Sequence, residues 1–309
     1  MRPRGASRRS PRGRRHRGPR HHRRRRSMPR LLPPTLVPVN AMRTVSTRLG
    51  EQVILGDLED PDLLLWPGVL FGAELHEPLA QCLRERGFGV ALVEAPGFGG
   101  GTLDRETFSM EDCGAAFLEV ADALGVEHPV LGGTSWGGTS AMHAARCAPE
   151  RVRGVVAMNA PFHRGDQSGF FSRLHLVVRT VPAGLFALGS IRTSLGRRAQ
   201  RERGLAMARI LRGSLKSARP VDRSAVARMV FRERDALFPA LPGIDVPTLV
   251  VHGDEDSLCT LRGAVKAADL LPRASLEVIP GAGHLAAWER PVAVANAVDA
   301  FLRELRRPG

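Results

Sequence analysis

The chain has 309 residues, 43% apolar and 25% charged, with 33 Gly and 23 Pro, ample for a buried core in one large domain or two small ones. No uncharged apolar run approaches the roughly 18–20 residues of a membrane span, which excludes an integral helical membrane protein. Four scattered cysteines (Cys82, Cys113, Cys147, Cys259) with no CxxC pair exclude a disulfide scaffold and a Cys-type zinc site, and they suit a reducing compartment, with the cytoplasm as the expected location.

The net charge of +14 is concentrated at one end: residues 1–30 hold 14 of the 45 basic residues and no acid, so the rest carries 31 basic against 31 acidic groups. Residues 1–41 are expected to be a disordered basic and Pro-rich tail, since a segment this poor in apolar groups cannot offset its ordering entropy by burial. It lacks the apolar run of a secretory or twin-arginine signal, because 31–41 is short and broken by Pro33, Pro34 and Pro38. One reading of the tail is electrostatic attachment to nucleic acid or an anionic surface. The other is Arg-biased sequence upstream of a translation start at Met28 or Met42, in a chain with two lysines in all.

Regular patterning begins at Met42. Residues 44–48 and 52–55 alternate around Gly50 and predict a hairpin. Residues 62–66 (DLLLW) predict a buried strand running into Pro67-Gly68. Leu75, Leu79 and Leu83 predict a helix over 74–86, and 88–93 (FGVALV) a second buried strand, closed by the Gly-rich loop 95–101. A helix over 110–124, a strand over 129–132, a helix over 137–148 and a strand over 152–158 follow. Alternation of this kind implies a parallel sheet with right-handed crossovers. It breaks at 162–240, which shows amphipathic helical stretches and no clear strand. It resumes with a strand over 247–252, a helix near 261–271, a strand over 275–279 and a helix over 291–305. The expected architecture is α/β: a core of 42–161 and 241–309, interrupted by a helical insertion over 162–240.

Gly133-Thr134-Ser135-Trp136-Gly137 is a G-x-S-x-G between a predicted strand and a predicted helix. Such a sharp turn needs small residues two before and two after the serine, and it presents Ser135 above the sheet at a helix N-terminus that favours a developing anion. A serine nucleophile needs a base, and the base needs an orienting acid. His284, in Gly281-Ala282-Gly283-His284, follows the last predicted strand and is the candidate base. The acid should follow the preceding strand, where Gly253-Asp254-Glu255-Asp256-Ser257 offers three carboxylates.

Four motifs, WPG at 66–68, GTSWGG at 133–138, HGDED at 252–256 and GAGHLAAWERP at 281–291, resemble the alpha/beta-hydrolase superfamily over roughly 42–307. The resemblance implies an alpha/beta-hydrolase fold, a mostly parallel sheet flanked by helices with a helical cap over 162–240. It selects Asp256, the last residue of G-x-x-D, over Asp254. The alternative acid position after the preceding strand reads Asn159-Ala160-Pro161 and offers no carboxylate. The oxyanion donors implied are the backbone amides of Trp136 and Val69. At the second, Pro67 replaces the usual histidine and removes a side chain that braces the loop. Glu94 stands where similar proteins have Asp in a D-x-x-G-x-G turn and receives no chemistry, and Glu289-Arg290-Pro291 reads as a structural helix start.

The implied function is a serine hydrolase cleaving an ester or related acyl bond of a small molecule through an acyl-enzyme. Acyl transfer, carbon–carbon bond hydrolysis, cofactor-free haloperoxidase-like chemistry and a hydrolase-like binding protein are alternatives on the same residues. Ser135 in place of an Asp nucleophile, and a chain without Tyr, argue against dehalogenase and epoxide hydrolase. No cofactor is called for: P-loop, HExxH and dinucleotide fingerprints are missing. Residues 162–240 carry 16 basic and five acidic groups. Two readings of that excess stand: steering of an anionic substrate, or solvation of helix faces. The apolar stretch of Phe170, Phe171, Leu174, Leu176, Val177, Leu185 and Phe186 is expected to line the pocket or pack on the core. The oligomeric state is left open.

Overall fold

The computed structural model describes residues 41–106, 108–162, 174–233 and 237–307. The tail before residue 41, with its nucleic-acid or anionic-surface reading, lies outside them, as do Phe170 and Phe171.

The chain opens with an antiparallel hairpin of β1 (Met42–Thr47) and β2 (Gly50–Gly56), in which Thr47 pairs with Gly50. Gly50, at φ +108°, takes a turn conformation that L side chains rarely adopt. Next come β3 (Leu63–Trp66), α1 (Glu77–Arg84), β4 (Val90–Val93), α2 (Met110–Ala123), β5 (Val130–Thr134), α3 (Trp136–Cys147) and β6 (Gly154–Met158). Among the described residues between β6 and β7 are the α-helices α4 (Leu174–Thr180), α5 (Ala183–Gly189), α6 (Ile191–Ser194), α7 (Arg197–Ser217) and α8 (Pro220–Glu233), followed by a 3₁₀ helix, Phe238–Gly243. The chain closes with β7 (Thr248–Gly253), α9 (Leu261–Leu270), β8 (Ala274–Ile279), α10 (Ala286–Glu289) and α11 (Pro291–Leu305).

The first predicted helix differs in detail, and a short helix near the end of the chain was not predicted. The helix expected over 74–86 begins as a 3₁₀ turn, Ala73–His76, and becomes α-helical only at Glu77. Pro78 lacks an N–H and is tolerated in the first turn of an α-helix, so it marks that start. The short α10 just after His284 was not expected; four residues are too few for helical periodicity to register.

The eight strands form one sheet in the order β1-β2-β4-β3-β5-β6-β7-β8. The pairs from β4 through β8 are parallel, and β1 and β2 join antiparallel at one side. The central strands are apolar on both faces because both faces are covered. Leu64, Trp66, Leu131, Val155 and Val250 pack on the side of α2 and α3. Leu63, Leu65, Val130, Val156 and Val251 pack on the side of α1 and α11. Trp66 fixes the first layer, its ring edge-on to Phe117 of α2 at 5.2 Å and to Trp136 of α3 at 5.5 Å.

After β3 the chain moves outward to β4, then crosses back past β3 to lay down β5. The strand order therefore reverses at β3 and β5. In open α/β sheets ligands bind beyond the carboxyl ends of the strands at such a switch point. Val69 follows β3 and Ser135 follows β5.

Candidate active site

Ser135 occupies the single residue between β5 and α3, at φ 55° and ψ −112°. A serine at positive φ is strained by about 1–3 kcal/mol and persists only where its surroundings over-determine it. Its amide donates to the carbonyl of Met158 (2.8 Å), tying the turn to β6. A Cβ at Gly133 would lie 2.2 Å from the Trp66 carbonyl oxygen, and one at Gly137 only 1.9 Å from it. Both positions therefore require glycine, and the strand and helix close on β3 through them. Ser135 is 6% exposed, and residues of α4, α5, α7 and α8 line the cavity onto which it opens.

His284 and Asp256 meet behind that turn. Nδ1 of His284 lies 2.9 Å from Oδ2 of Asp256. A carboxylate only accepts, so the proton is on Nδ1 and Nε2 is left as the basic nitrogen. The other oxygen, Oδ1, accepts the amides of Leu258 (2.8 Å) and Cys259 (3.0 Å). Burial raises the pKa of this carboxyl. The charge and hydrogen bond of His284, the charge of His252 and the Cys259 amide outweigh that effect, and the net result is a pKa below the ordinary carboxylate value. Asp254 is elsewhere: it is exposed, and its Oδ1 accepts the Gly281 amide at 2.6 Å.

Asn159 and His252, both set aside in the sequence, pack against this pair. Asn159, discounted for want of a carboxylate, is fully buried and donates from Nδ2 to Oδ2 of Asp256 (2.9 Å) and to the carbonyl of Gly283 (3.2 Å). It sits at φ 47°, a region in which Asn is enriched; an Asn directly after a strand was the available signal. His252, set aside as a strand-end residue, is also buried, with Nε2 3.8 Å from Oδ2 of Asp256. Glu289 joins the histidine loop to the inserted helices: its carboxylate accepts the amides of Gly283 and Gly196, both at 2.9 Å.

The loop after β3 is braced without a histidine. The amide of Gly72 donates to Oγ of Ser214 on α7 (2.9 Å), and the amide of Ala73 to Oε2 of Glu94 (3.0 Å). Burial raises the pKa of Glu94. A Cβ at Gly72 would lie 2.8 Å from that same carboxylate. Glu94 thus has a positioning role that its place in the sequence did not disclose. On the neighbouring 3₁₀ turn, Nε2 of the fully buried His76 lies 2.9 Å from Oγ1 of Thr134, the residue before Ser135.

A cavity of about 420 Å³ brings the parts together, a size typical of small-molecule sites. Ser135, His284, Gly68 and Val69 all line it. Asp256 stands behind His284, its side chain wholly buried. The Trp136 ring packs into the core, and its backbone amide opens α3, where a helix leaves N–H groups without intrahelical acceptors. Of the apolar stretch expected to line the pocket, Leu174, Val177 and Phe186 do so. Leu176 and Leu185 point outward, 53% and 65% exposed, because one face of a short helix cannot hold every apolar position of a continuous run.

Among the described residues one trio of potential metal-ligand atoms, from Asp256, Cys259 and His284, lies within 4.8 Å. Both carboxylate oxygens of Asp256 are already engaged within the chain, as set out above. No helix among the described residues is long and apolar enough to cross a membrane.

A sequence model of the alpha/beta hydrolase fold matches residues 62–291. The chain is 24% identical over 251 residues to a 2-(acetamidomethylene)succinate hydrolase of Mesorhizobium japonicum, covering 78% of this chain and 88% of the relative. It is 28% identical over 255 residues to a pimeloyl-[acyl-carrier protein] methyl ester esterase of Stenotrophomonas maltophilia, covering 79% and 94%. A solved thermophilic esterase from Thermogutta terrifontis superposes with a TM-score of 0.76 at 23% identity, over 86% of this chain and all of that one. With the sheet order, the strand-to-helix turn and the matched family in agreement, the chain belongs to the alpha/beta hydrolase fold family, as a hydrolase of that fold.

Proposed function

We propose that the protein is a serine hydrolase that cleaves an ester or related acyl bond of a small molecule through an acyl-enzyme on Ser135. The observation that carries this reading is the 2.9 Å contact of His284 Nδ1 with Asp256, which leaves Nε2 basic on the cavity that Ser135 also lines. Oγ of Ser135 attacks the carbonyl carbon while Nε2 of His284 takes its proton. Asp256 holds the ring and stabilises the imidazolium. The amides of Val69 and Trp136 are the donors for the oxyanion; one such donor is worth roughly 3–4 kcal/mol of barrier. The bond to the alcohol breaks as His284 returns the proton to the leaving oxygen. Water then repeats the sequence on the acyl-enzyme, with His284 as base, and releases the acid. Residues 162–240 act as a cap over a core of 42–161 and 241–309. The methyl ester esterase among the relatives accords with ester cleavage.

The test is turnover of p-nitrophenyl esters by the wild type and Ser135→Ala. A loss of about 10⁴-fold or more, with the thermal midpoint kept, is expected. A variant retaining more than a tenth of the activity contradicts the reading.

A further inference from the structure

The inserted helices carry a large cationic excess, yet none of their described arginines reaches the cavity. Several are engaged elsewhere. Arg203 lies over the Trp288 ring at 3.8 Å and donates to the Trp288 carbonyl (2.8 Å). Arg223 donates to the carbonyl of Leu215 (2.8 Å), Arg219 pairs with Asp222 (2.6 Å), and Arg198 pairs with Glu202 (2.9 Å). They brace the insertion and cover its surface.

The cavity wall differs in kind. Among the described residues no charged side chain lines it other than the titratable His284. Leu70 and Phe71 come from the loop after β3, Val177 and Phe186 from α4 and α5, and Leu211 and Phe231 from α7 and α8. Its polar side chains among the described residues, apart from Ser135 and His284, are the hydroxyls of Ser190, Thr193 and Ser194. Those of Ser190 and Thr193 donate to the carbonyls of Phe186 (2.9 Å) and Ser190 (3.1 Å). An ionised group brought into such a site loses its hydration and meets no cationic side chain among the described lining residues, which is strongly unfavourable.

We infer that the site selects uncharged substrates with an apolar acyl chain and rejects those whose chain carries a carboxylate, although the helices around it are basic. This rests on the serine hydrolase reading and goes beyond it by naming the substrate class. The neutrality of the wall, not the charge of the surface, sets the selection.

Three p-nitrophenyl esters with a six-carbon acyl chain test the inference: the hexanoate, the adipate with a free terminal carboxylate, and the adipate capped there as its methyl ester. At neutral pH the hexanoate and the capped adipate are expected to be cleaved with kcat/KM values within about tenfold of each other, and the free acid at least ~100-fold more slowly. Equal or faster cleavage of the free acid overturns the inference. So does a capped adipate as poor as the free acid, since size rather than charge would then be rejected. A cation placed on the wall gives the converse. Val177 is only half-buried and faces the cavity, so Val177→Arg is expected to narrow the discrimination at least tenfold. Unchanged discrimination in a variant that still reacts with a fluorophosphonate also overturns it. In the wild type, fluorophosphonate labelling of Ser135 without turnover of either neutral ester counts against the substrate class alone, whereas no labelling and no turnover count against the hydrolase reading itself.

Discussion

Asn159 and His284 share one oxygen of Asp256: Nδ2 of the amide and Nδ1 of the imidazole each lie 2.9 Å from Oδ2. The same Asn159 amide donates to the carbonyl of Gly283, next to the histidine. One buried side chain at the end of β6 therefore holds both the Asp256 carboxylate and the loop that carries His284.

Removing that amide should loosen the pair without touching Ser135. Asn159→Gly tolerates the positive φ and isolates the loss of the amide. It is expected to lower kcat by about 10–100-fold with a smaller change in KM, and to cost about 1–3 kcal/mol of stability, as for hydrogen bonds to charged groups. Steady-state kinetics with urea unfolding check this; a kcat within twofold of wild type shows that Asn159 does not position the acid.

The two aspartates of the turn after β7 should separate cleanly. Asp256→Asn is expected to reduce kcat by about 10⁴-fold, because an amide oxygen no longer favours the Nδ1–H imidazole or its cation. Asp254→Asn removes an exposed contact to the Gly281 amide and is expected to leave kcat within about threefold and stability within about 1 kcal/mol. Side-by-side kinetics decide, and the reverse order moves the acid to Asp254.

Acid should destabilise the fold with a slope traceable to His76. Burial lowers its pKa from 6.5 to about 3. As pH falls below 6.5 the unfolded chain binds a proton that the folded chain refuses until about pH 3. Stability is thus full above 6.5 and declines across that window, by up to a few kcal/mol. His143, lowered to about 4 by burial first and Arg146 second, acts in the same direction. Asp256, with its folded pKa below the ordinary value, adds stability that is present above the ordinary carboxyl pKa and lost as pH falls through its own. Urea unfolding from pH 7 to 4 should give a shallower decline for His76→Gln than for wild type; parallel curves contradict the assignment.

What the sequence disclosed and what it withheld divide along range. The turn at Ser135 was legible because its requirements are local: glycines two residues either side, where Gly133 and Gly137 both abut the Trp66 carbonyl. Strand order and family spacing singled out Asp256 and His284, and the two side chains do meet, Nδ1 2.9 Å from Oδ2. Asn159 was not legible, because its role exists only once β6 and β7 lie side by side and bring it to an acid 97 positions away. Glu94 and Ser214 were hidden for the same reason: their partners are backbone amides of the loop after β3, and no pattern of side chains announces an amide. The charge of the inserted helices was visible in full, but composition does not say which face an arginine takes, and Arg203 and Arg223 turn theirs to internal carbonyls.

The central claim is that Ser135 is a nucleophile activated by His284. Its most direct test is fluorophosphonate labelling of the folded protein, mapped to a residue by peptide mass spectrometry. The account predicts one adduct per chain, on Ser135, with loss of esterase activity in step and labelling slowed by at least ~100-fold in His284→Ala. A folded wild-type protein that forms no adduct, or forms it on another residue, contradicts the account.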